Sequence, residues 1–229
     1  MLKKTALIFA FLTVFTAFHG FNADFAAPAD AFAVEADDHS LLSEGEYVIS
    51  AYDNIIRSVS EREGNDWRLL SAIAYHESRF TPDAVSGRGA RGLMQIMPVV
   101  ARQFEVPADA VADPATNVWL ANRLLKKIDT TLRFARNVPE RDRMSIVLAS
   151  YNGGIGHVSD ARRLAGLYGE NPDSWEVVAR YLELKADSAY YENEAVKYGK
   201  FTGSRQTKSY VREVMQRYDT YRKMAAAKS

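Results

Sequence analysis

One carboxylate stands apart in the helical pattern of residues 67–80. Steps of three and four residues from Trp67 meet apolar side chains until they reach Glu77, which therefore shares the predicted buried face of this helix. An ionised carboxylate is costly among apolar neighbours, so burial favours its protonated form. A carboxylic acid that keeps its proton near neutral pH can act as a general acid. Glu77 is thus a candidate catalytic acid; the alternative is a glutamate at a helix end that pairs with Arg79 or Arg88.

The elements that would position Glu77 are mostly α-helical. Apolar residues recur at helical spacing over most of residues 47–224, and glycine or proline separates most of the segments. Gly64 is expected to end the first helix, and Asp66 to cap the second, which would run to Phe80. Further helices are predicted over 117–134, 141–151, 155–168, 174–184 and 204–224. The pattern predicts a mostly α domain with one small β-like insert, rich in glycine, around residues 83–98.

Residues 87–92 (GRGARG) of this insert match the pattern G-x-G-x-x-G of dinucleotide-binding proteins. That fingerprint follows a strand and opens a long helix. Here a predicted helix comes before it, and Pro98 follows shortly after the last glycine. We therefore interpret the insert as a tight loop whose glycines adopt positive φ, not as a nucleotide site.

Composition excludes several classes of site. The 229 residues contain 29 Lys or Arg and 29 Asp or Glu, so no overall positive charge favours nucleic acid. The sequence has no cysteine, which excludes disulfides and thiolate ligands, and its histidines lack the spacing of a zinc site. We expect no metal, no cofactor and no nucleic-acid partner.

The first 33 residues follow the three-part pattern of a signal peptide. Lys3 and Lys4 precede an apolar run over 6–18, and cleavage sites with small residues follow at 27–29 and 31–33, either of which could be cut. Residues 34–46 are predicted to be an acidic leader, and 47–224 a single domain. The pattern predicts an exported protein of the periplasm or cell envelope.

Three short segments resemble, in order, the motifs of the soluble-lytic-transglycosylase (SLT) domain family. They are residues 77–80 (ESRF), 92–98 (GLMQIMP) and 149–154 (ASYNGG). Segments 72–78, 171–175, 190–191 and 210–211 further resemble the catalytic module of the membrane-bound lytic murein transglycosylase F subfamily. The resemblance covers roughly residues 47–222. It implies a lysozyme-like α+β fold and the cleavage of peptidoglycan.

The resemblance also implies roles for individual residues. Glu77 would be the general acid and later the general base. The substrate-binding residues would be Ser86, Gln95, Met97, Tyr151, Asn152, Gln206 and Tyr210. Tyr151 would orient the Glu77 carboxyl, and Asn152 would hold substrate or backbone near it. At Gln206 the chain departs from many relatives, which carry glutamate; a neutral amide cannot stabilise developing positive charge as a carboxylate can.

A single acid/base residue agrees with the family's reaction. Glycosidases commonly use two carboxylates, but no Asp or Glu occurs between Asp83 and Glu105. In the family's chemistry, the acid protonates the β-1,4 oxygen between N-acetylmuramic acid and N-acetylglucosamine. The substrate's own C6 hydroxyl then closes a 1,6-anhydro ring. We expect a monomeric peptidoglycan lyase that acts on glycan strands and associates peripherally with the cell envelope.

Two alternatives stay open. A hydrolytic muramidase on the same fold would use water and would need a second carboxylate near Glu77. A non-catalytic peptidoglycan-binding protein would keep the fold but lose the catalytic set, whereas Glu77, Gln95, Tyr151 and Asn152 are all present.

Overall fold

Helices carry most of residues 48–226, the part of the chain that a computed structural model describes. In chain order they are α1 (Asp53–Glu63), α2 (Trp67–Ser78), α3 (Pro98–Gln103), α4 (Pro114–Leu132), α5 (Glu140–Gly153), α6 (Ile155–Leu167), α7 (Trp175–Leu184), α8 (Ser188–Tyr191) and α9 (Ser204–Ala226), with a 3₁₀ turn at Ala110–Ala112. The mostly helical prediction is confirmed. The predicted signal peptide (1–33) and acidic leader (34–46) lie outside the described residues.

The short helices are the elements that the sequence pattern did not predict. α3 has six residues and α8 has four, which is too short for an apolar repeat at helical spacing to show. The long helices agree with prediction to within a few residues. Within residues 48–226, no helix combines the length and the apolar character needed to cross a membrane.

The described residues divide into two compact units. The first unit comprises residues 48–126 and 212–226, and the second comprises residues 127–211. α4 and α9 each contribute residues to both units. The expectation of a single domain over 47–224 stays a prediction.

The first unit contains the glycine-rich insert (residues 83–98). The insert is held by two isolated antiparallel bridges, Val85–Arg91 and Arg91–Ile96, and the described residues form no longer strand there. Gly92 adopts a φ of 80°, and Gly89 one of 84°, as expected for a tight loop. The β-like insert is therefore confirmed as a loop that is only minimally paired.

The second unit contains a buried charged cluster. The fully buried Lys185 Nζ donates to Asp160 Oδ2 at 2.6 Å and lies 3.2 Å from His157 Nδ1. Asp160 also accepts hydrogen bonds from the backbone N–H groups of Lys197 (2.8 Å) and Tyr198 (2.9 Å). Burial, together with the charge on Lys185, lowers the pKa of His157 to about 4. The imidazole is therefore neutral near pH 7 and accepts from Lys185, so α6, α7 and the segment before α9 are tied together.

The start of α2 is fixed by its cap. The Asp66 carboxylate accepts a hydrogen bond from the Arg68 backbone N–H at 2.9 Å and one from the Tyr218 hydroxyl at 2.8 Å. Burial alone would raise the pKa of Asp66, but the hydrogen bonds from Arg68 and Tyr218 outweigh it and leave that pKa below its usual value. The ionised carboxylate thus holds the first turn of α2 against α9 within the first unit.

We predict that Asp66→Asn lowers the free energy of unfolding by about 1 kcal/mol at neutral pH, because hydrogen bonds to a charged group exceed neutral ones by about that amount. The folded-state pKa is depressed, so the contribution is complete above the unfolded value of about 3.9 and is lost as pH falls through the folded value. Urea denaturation of both proteins over a pH series measures the difference.

The matched control is Asp83→Asn, which changes an exposed carboxylate of the same unit. A gap between wild type and Asp66→Asn that persists unchanged to acid pH would contradict the role of the charge.

Candidate active site

Glu77 is the next-to-last residue of α2, and its side chain is half-buried. The sequence predicts a helix that runs to Phe80, but the helix ends at Ser78. It ends there because Arg79 and Phe80 both adopt left-handed backbone, with φ of 56° and 59°. Such conformations cost residues other than glycine about 1–2 kcal/mol each and concentrate at functional sites. The two strained residues end the helix one residue after Glu77, which leaves this carboxyl in the last turn of the helix.

Cation–π contacts with two arginines stabilise the last turn of α2. Two guanidinium groups contact the Tyr75 ring, with Arg217 Cζ 3.4 Å and Arg79 Cζ 4.0 Å from the ring centroid. Each cation–π contact of this kind contributes about 0.5–1 kcal/mol where it is exposed. Because Arg217 belongs to α9, the contact fixes the turn that carries Glu77 within the first unit.

His76 lies beside a second carboxylate of the first unit. Its Nδ1 is 3.7 Å from Glu213 Oε2, and Glu213 Oε1 lies 3.5 Å from a guanidinium nitrogen of Arg212. Burial lowers the pKa of His76 despite the opposing effect of Glu213. Glu213 is therefore a partly exposed carboxylate with basic neighbours, which sequence analysis did not single out.

The insert that follows Glu77 is pinned by the buried Asn117 of α4. The Asn117 Oδ1 accepts from the Met94 backbone N–H at 2.7 Å, and its Nδ2 donates to the carbonyl oxygens of Arg91 and Val111 at 2.9 Å each. A Cβ at Gly92 would clash with the carboxamide of Asn117. Only glycine therefore allows the loop to approach this amide.

Gln95 presents one free atom. Its Nε2 donates to the carbonyl oxygens of Ala84 (3.1 Å) and Gly92 (3.0 Å), which uses both amide hydrogens. Its Oε1 has no hydrogen-bond partner among residues 48–226. Gln95 also has a left-handed backbone with φ of 48°. The loop thus holds this side chain in one orientation, with a carbonyl oxygen available to accept a hydrogen bond.

Ser86 and Met97 have different environments in the same insert. The Ser86 Oγ accepts hydrogen bonds from the backbone N–H of Ala90 at 2.9 Å and that of Arg88 at 3.4 Å. Ser86 therefore shapes its own turn. Met97 is half-buried and has extended backbone directly before α3, so part of its thioether side chain is available for contact.

The second unit contains the other four predicted residues. Tyr151 and Asn152 lie in the last turn of α5, and both are buried. Gln206 and Tyr210 lie near the start of α9, where Tyr210 is buried and Gln206 is half-buried. The Gln206 amide has no hydrogen-bond partner among the described residues.

The predicted site residues are thus divided between the two units. Glu77, Ser86, Gln95 and Met97 lie in the first unit, and Tyr151, Asn152, Gln206 and Tyr210 lie in the second. The described residues contain no cluster of three or more His, Asp or Glu side chains that could hold a metal ion.

Two polar residues that shape these groups were not predicted. Asn117 pins the insert, and the Thr207 hydroxyl donates to Asn152 Oδ1 at 3.0 Å. Each is a polar residue on the apolar stripe of its helix, the same signal that identified Glu77. A polar side chain on an apolar stripe is therefore a signal for amides and hydroxyls as well as for carboxylates.

Comparison with protein families matches residues 54–173 to the transglycosylase SLT domain. Among similar curated proteins is the membrane-bound lytic murein transglycosylase F of Alcanivorax borkumensis, 38% identical over 168 residues that cover 73% of this chain and 34% of that protein. The protein of the same name from Marinobacter nauticus is 34% identical over 168 residues, covering 73% of this chain and 32% of that protein. The chain spans about one third of the length of these relatives.

A solved structure supports the fold. An inactive mutant of the lytic transglycosylase Slt from Pseudomonas aeruginosa superimposes with a TM-score of 0.52 at 22% identity, covering 78% of this chain and 25% of that chain. At this identity the likeness concerns the fold alone, and it agrees with the predicted lysozyme-like class.

We predict that Gln95→Glu lowers the free energy of unfolding by about 2 kcal/mol. The substitution replaces the Nε2 donor by an anionic oxygen that faces the Ala84 and Gly92 carbonyl oxygens, so two hydrogen bonds are lost and like partial charges are brought together. Each carbonyl oxygen keeps only the hydrogen bond that it accepts from a backbone N–H. Urea denaturation at neutral pH measures the change. Gln216→Glu, at an exposed position of α9, adds the same charge without such partners; equal effects of the two substitutions would refute the pinning role of Gln95.

Proposed function

Because the chain belongs to the transglycosylase SLT domain family, we propose that it is a lytic transglycosylase that cleaves peptidoglycan. The curated relatives are named lytic murein transglycosylases. The observation that carries the proposal is the half-buried carboxyl of Glu77, held at the end of α2 immediately before a pinned polar loop. The proposed reaction is cleavage of the β-1,4 bond between N-acetylmuramic acid and N-acetylglucosamine.

Glu77 acts twice in the proposed reaction. Its carboxylic acid first donates a proton to the glycosidic oxygen, the bond from C1 to that oxygen breaks, and N-acetylglucosamine leaves with the proton on its hydroxyl. The resulting carboxylate then removes the proton from the C6 hydroxyl of N-acetylmuramic acid, whose oxygen bonds to C1. The product is a 1,6-anhydromuramic acid end. Glu77 is protonated again, and no water is consumed.

The position of Glu77 supports its role as a proton donor. A helix C-terminus carries partial negative charge, which disfavours an ionised carboxylate there, and partial burial acts in the same direction. No Asp or Glu occurs between Asp83 and Glu105. Beyond Asp83 at its exposed first position, the insert therefore provides no second carboxylate of the kind that double-carboxylate mechanisms use.

The residues of the insert support a role in sugar binding. The Gln95 Oε1 is an oriented acceptor for a sugar hydroxyl or acetamido N–H, and the half-buried Met97 offers an apolar surface to the face of a sugar ring. Ser86 supports the turn that presents them. We propose that all three residues lie along the path of the glycan.

In the second unit, we propose that Tyr151, Asn152, Gln206 and Tyr210 bind the same substrate, and that Tyr151 orients the Glu77 carboxyl. The burial of the Tyr151 ring and the Asn152 amide in one helical turn supports defined positions for both groups. We also propose that the protein works as a monomer in the cell envelope, associated with it peripherally, because peptidoglycan is located there.

We predict that Glu77→Gln reduces the release of muropeptides from purified sacculi by at least about 10²-fold, since an amide cannot donate and recover a proton. The fold should be retained, as judged by circular dichroism and thermal unfolding. Glu213→Gln is the matched control, because it neutralises another carboxylate of the first unit that lies beside His76. If folded Glu77→Gln released muropeptides as fast as the wild-type protein, the catalytic assignment of Glu77 would be refuted.

The same products distinguish the alternatives. Mass spectrometry of muropeptides released by the wild-type protein should show ends lighter by one water than hydrolytic ends. Reducing ends throughout, together with loss of activity in Glu213→Gln, would identify a muramidase with two carboxylates. Binding to sacculi without release of products would identify a non-catalytic binding protein.

We predict that Gln206→Glu raises turnover on sacculi, because a carboxylate stabilises positive charge that develops on the sugar in the transition state. The expected increase is on the order of tenfold, equivalent to about 1.4 kcal/mol of transition-state stabilisation. Gln216→Glu adds the same charge at an exposed position of α9 and serves as the control. Unchanged turnover in Gln206→Glu would remove position 206 from the proposed site.

A further inference from the structure

The Asn152 side chain has one paired and one unpaired end. Its Oδ1 accepts a hydrogen bond from the Thr207 Oγ1 at 3.0 Å, and the two residues are only 4% and 2% exposed. Its Nδ2 is also buried, and it has no hydrogen-bond partner among residues 48–226. A buried donor without a partner is costly in a folded protein and calls for an explanation.

Thr207 decides which end of the amide is left unpaired. Asn152 is the only hydrogen-bond partner of the Thr207 hydroxyl among the described residues. A hydroxyl that donates to Oδ1 holds the carboxamide with Nδ2 directed away from it. On the side opposite Thr207, the amide therefore offers both Nδ2 hydrogens to a hydrogen-bond acceptor.

Gly153 makes this contact possible. A Cβ at position 153 would lie 2.8 Å from Thr207 Oγ1 and 3.2 Å from Phe201 Cζ. The first separation is too short for a Cβ, so a side chain at position 153 would displace Thr207 from the end of α5 within the second unit. The glycine that follows Asn152 thus allows Thr207 to approach the amide.

We propose that Thr207 is a positioning residue that orients Asn152 so that Nδ2 donates to an acetamido carbonyl oxygen of the glycan. The inference rests on the proposed function, since both sugars of peptidoglycan carry acetamido groups. A carbonyl oxygen is a strong neutral acceptor for an amide N–H. The ligand class is therefore an N-acetylated sugar, and its deacetylated counterpart should bind without this contact.

Binding measured in the Glu77→Gln background tests the proposal without turnover. The probes are a short oligomer of N-acetylglucosamine and the corresponding oligomer of glucosamine, with affinities from isothermal titration calorimetry. Thr207→Val, which keeps the size but removes the donor, should raise the Kd for the acetylated oligomer by about tenfold. Its Kd for the deacetylated oligomer should not change.

Further variants distinguish a loss of Asn152 orientation from a loss of folding stability. Thr207→Ser keeps the hydroxyl and should restore affinity to near that of the parent. Thr220→Val is the control on α9, where an exposed threonine hydroxyl donates to the Gln216 carbonyl oxygen. Should Thr207→Val fail to fold, Thr207→Ala removes the donor without adding a second methyl group.

Three results would overturn the proposal: no binding of the acetylated oligomer by the Glu77→Gln parent, an equal loss for both oligomers, or no rescue by a folded Thr207→Ser. The proposed function is tested by a separate measurement, the mass of the muropeptides that the wild-type chain releases; it fails if these carry no anhydro ends. Selective binding without anhydro products would reject the transglycosylase and leave the assignment of Thr207 in place.

Discussion

The insert that follows Glu77 depends on a single buried amide. A loop with only two bridges leaves most of its backbone donors and acceptors without ladder partners, and each of them must be satisfied if it is to be buried. The Asn117 carboxamide pairs with three backbone groups, two in the loop and one at Val111. Gly92 is required because no side chain fits against this amide. The side-chain hydrogen bonds of Asn117 thus add to the two bridges in setting the position of the loop.

Two other amide side chains of the proposed site are bonded at one end only. Gln95 binds two carbonyl oxygens of its own loop, and Thr207 binds the Asn152 amide. In each case one end of a planar amide is held by the protein, and the opposite end is left without a partner among the described residues. An amide has both a donor and an acceptor end, so fixing one end determines which kind of group the other can recognise.

Sequence predicted the long helices and the nature of the insert because both depend on local chemistry. Gly64, Asp66 and the insert glycines act within a few residues of their own position, and the predicted effects of Gly64, Asp66, Gly89 and Gly92 are confirmed. The prediction of positive φ was wrong for Gly87, which does not adopt it. The family resemblance is likewise confirmed by the match over residues 54–173. The end of α2 was predicted wrongly, since nothing in the identity of Arg79 or Phe80 signals left-handed backbone.

The pairing of distant polar residues could not be predicted from sequence. Asn117 contacts a loop more than twenty positions away, and Thr207 contacts Asn152 across an even longer separation. Apolar periodicity shows that such residues are buried, but it does not show which partner satisfies them. The roles of the site residues themselves stay predictions, because they concern a substrate.

Complete burial gives Lys185 a chemical property that the surface lysines lack. Its amine is enclosed by the second unit and bonded to Asp160 and His157, so a reagent that acylates amines reaches it only when that unit opens. Exposed amines such as that of Lys223 react directly from the folded state. The rate at which Lys185 is labelled, relative to Lys223, therefore measures how often the second unit opens around the buried pair of Lys185 and Asp160 under native conditions.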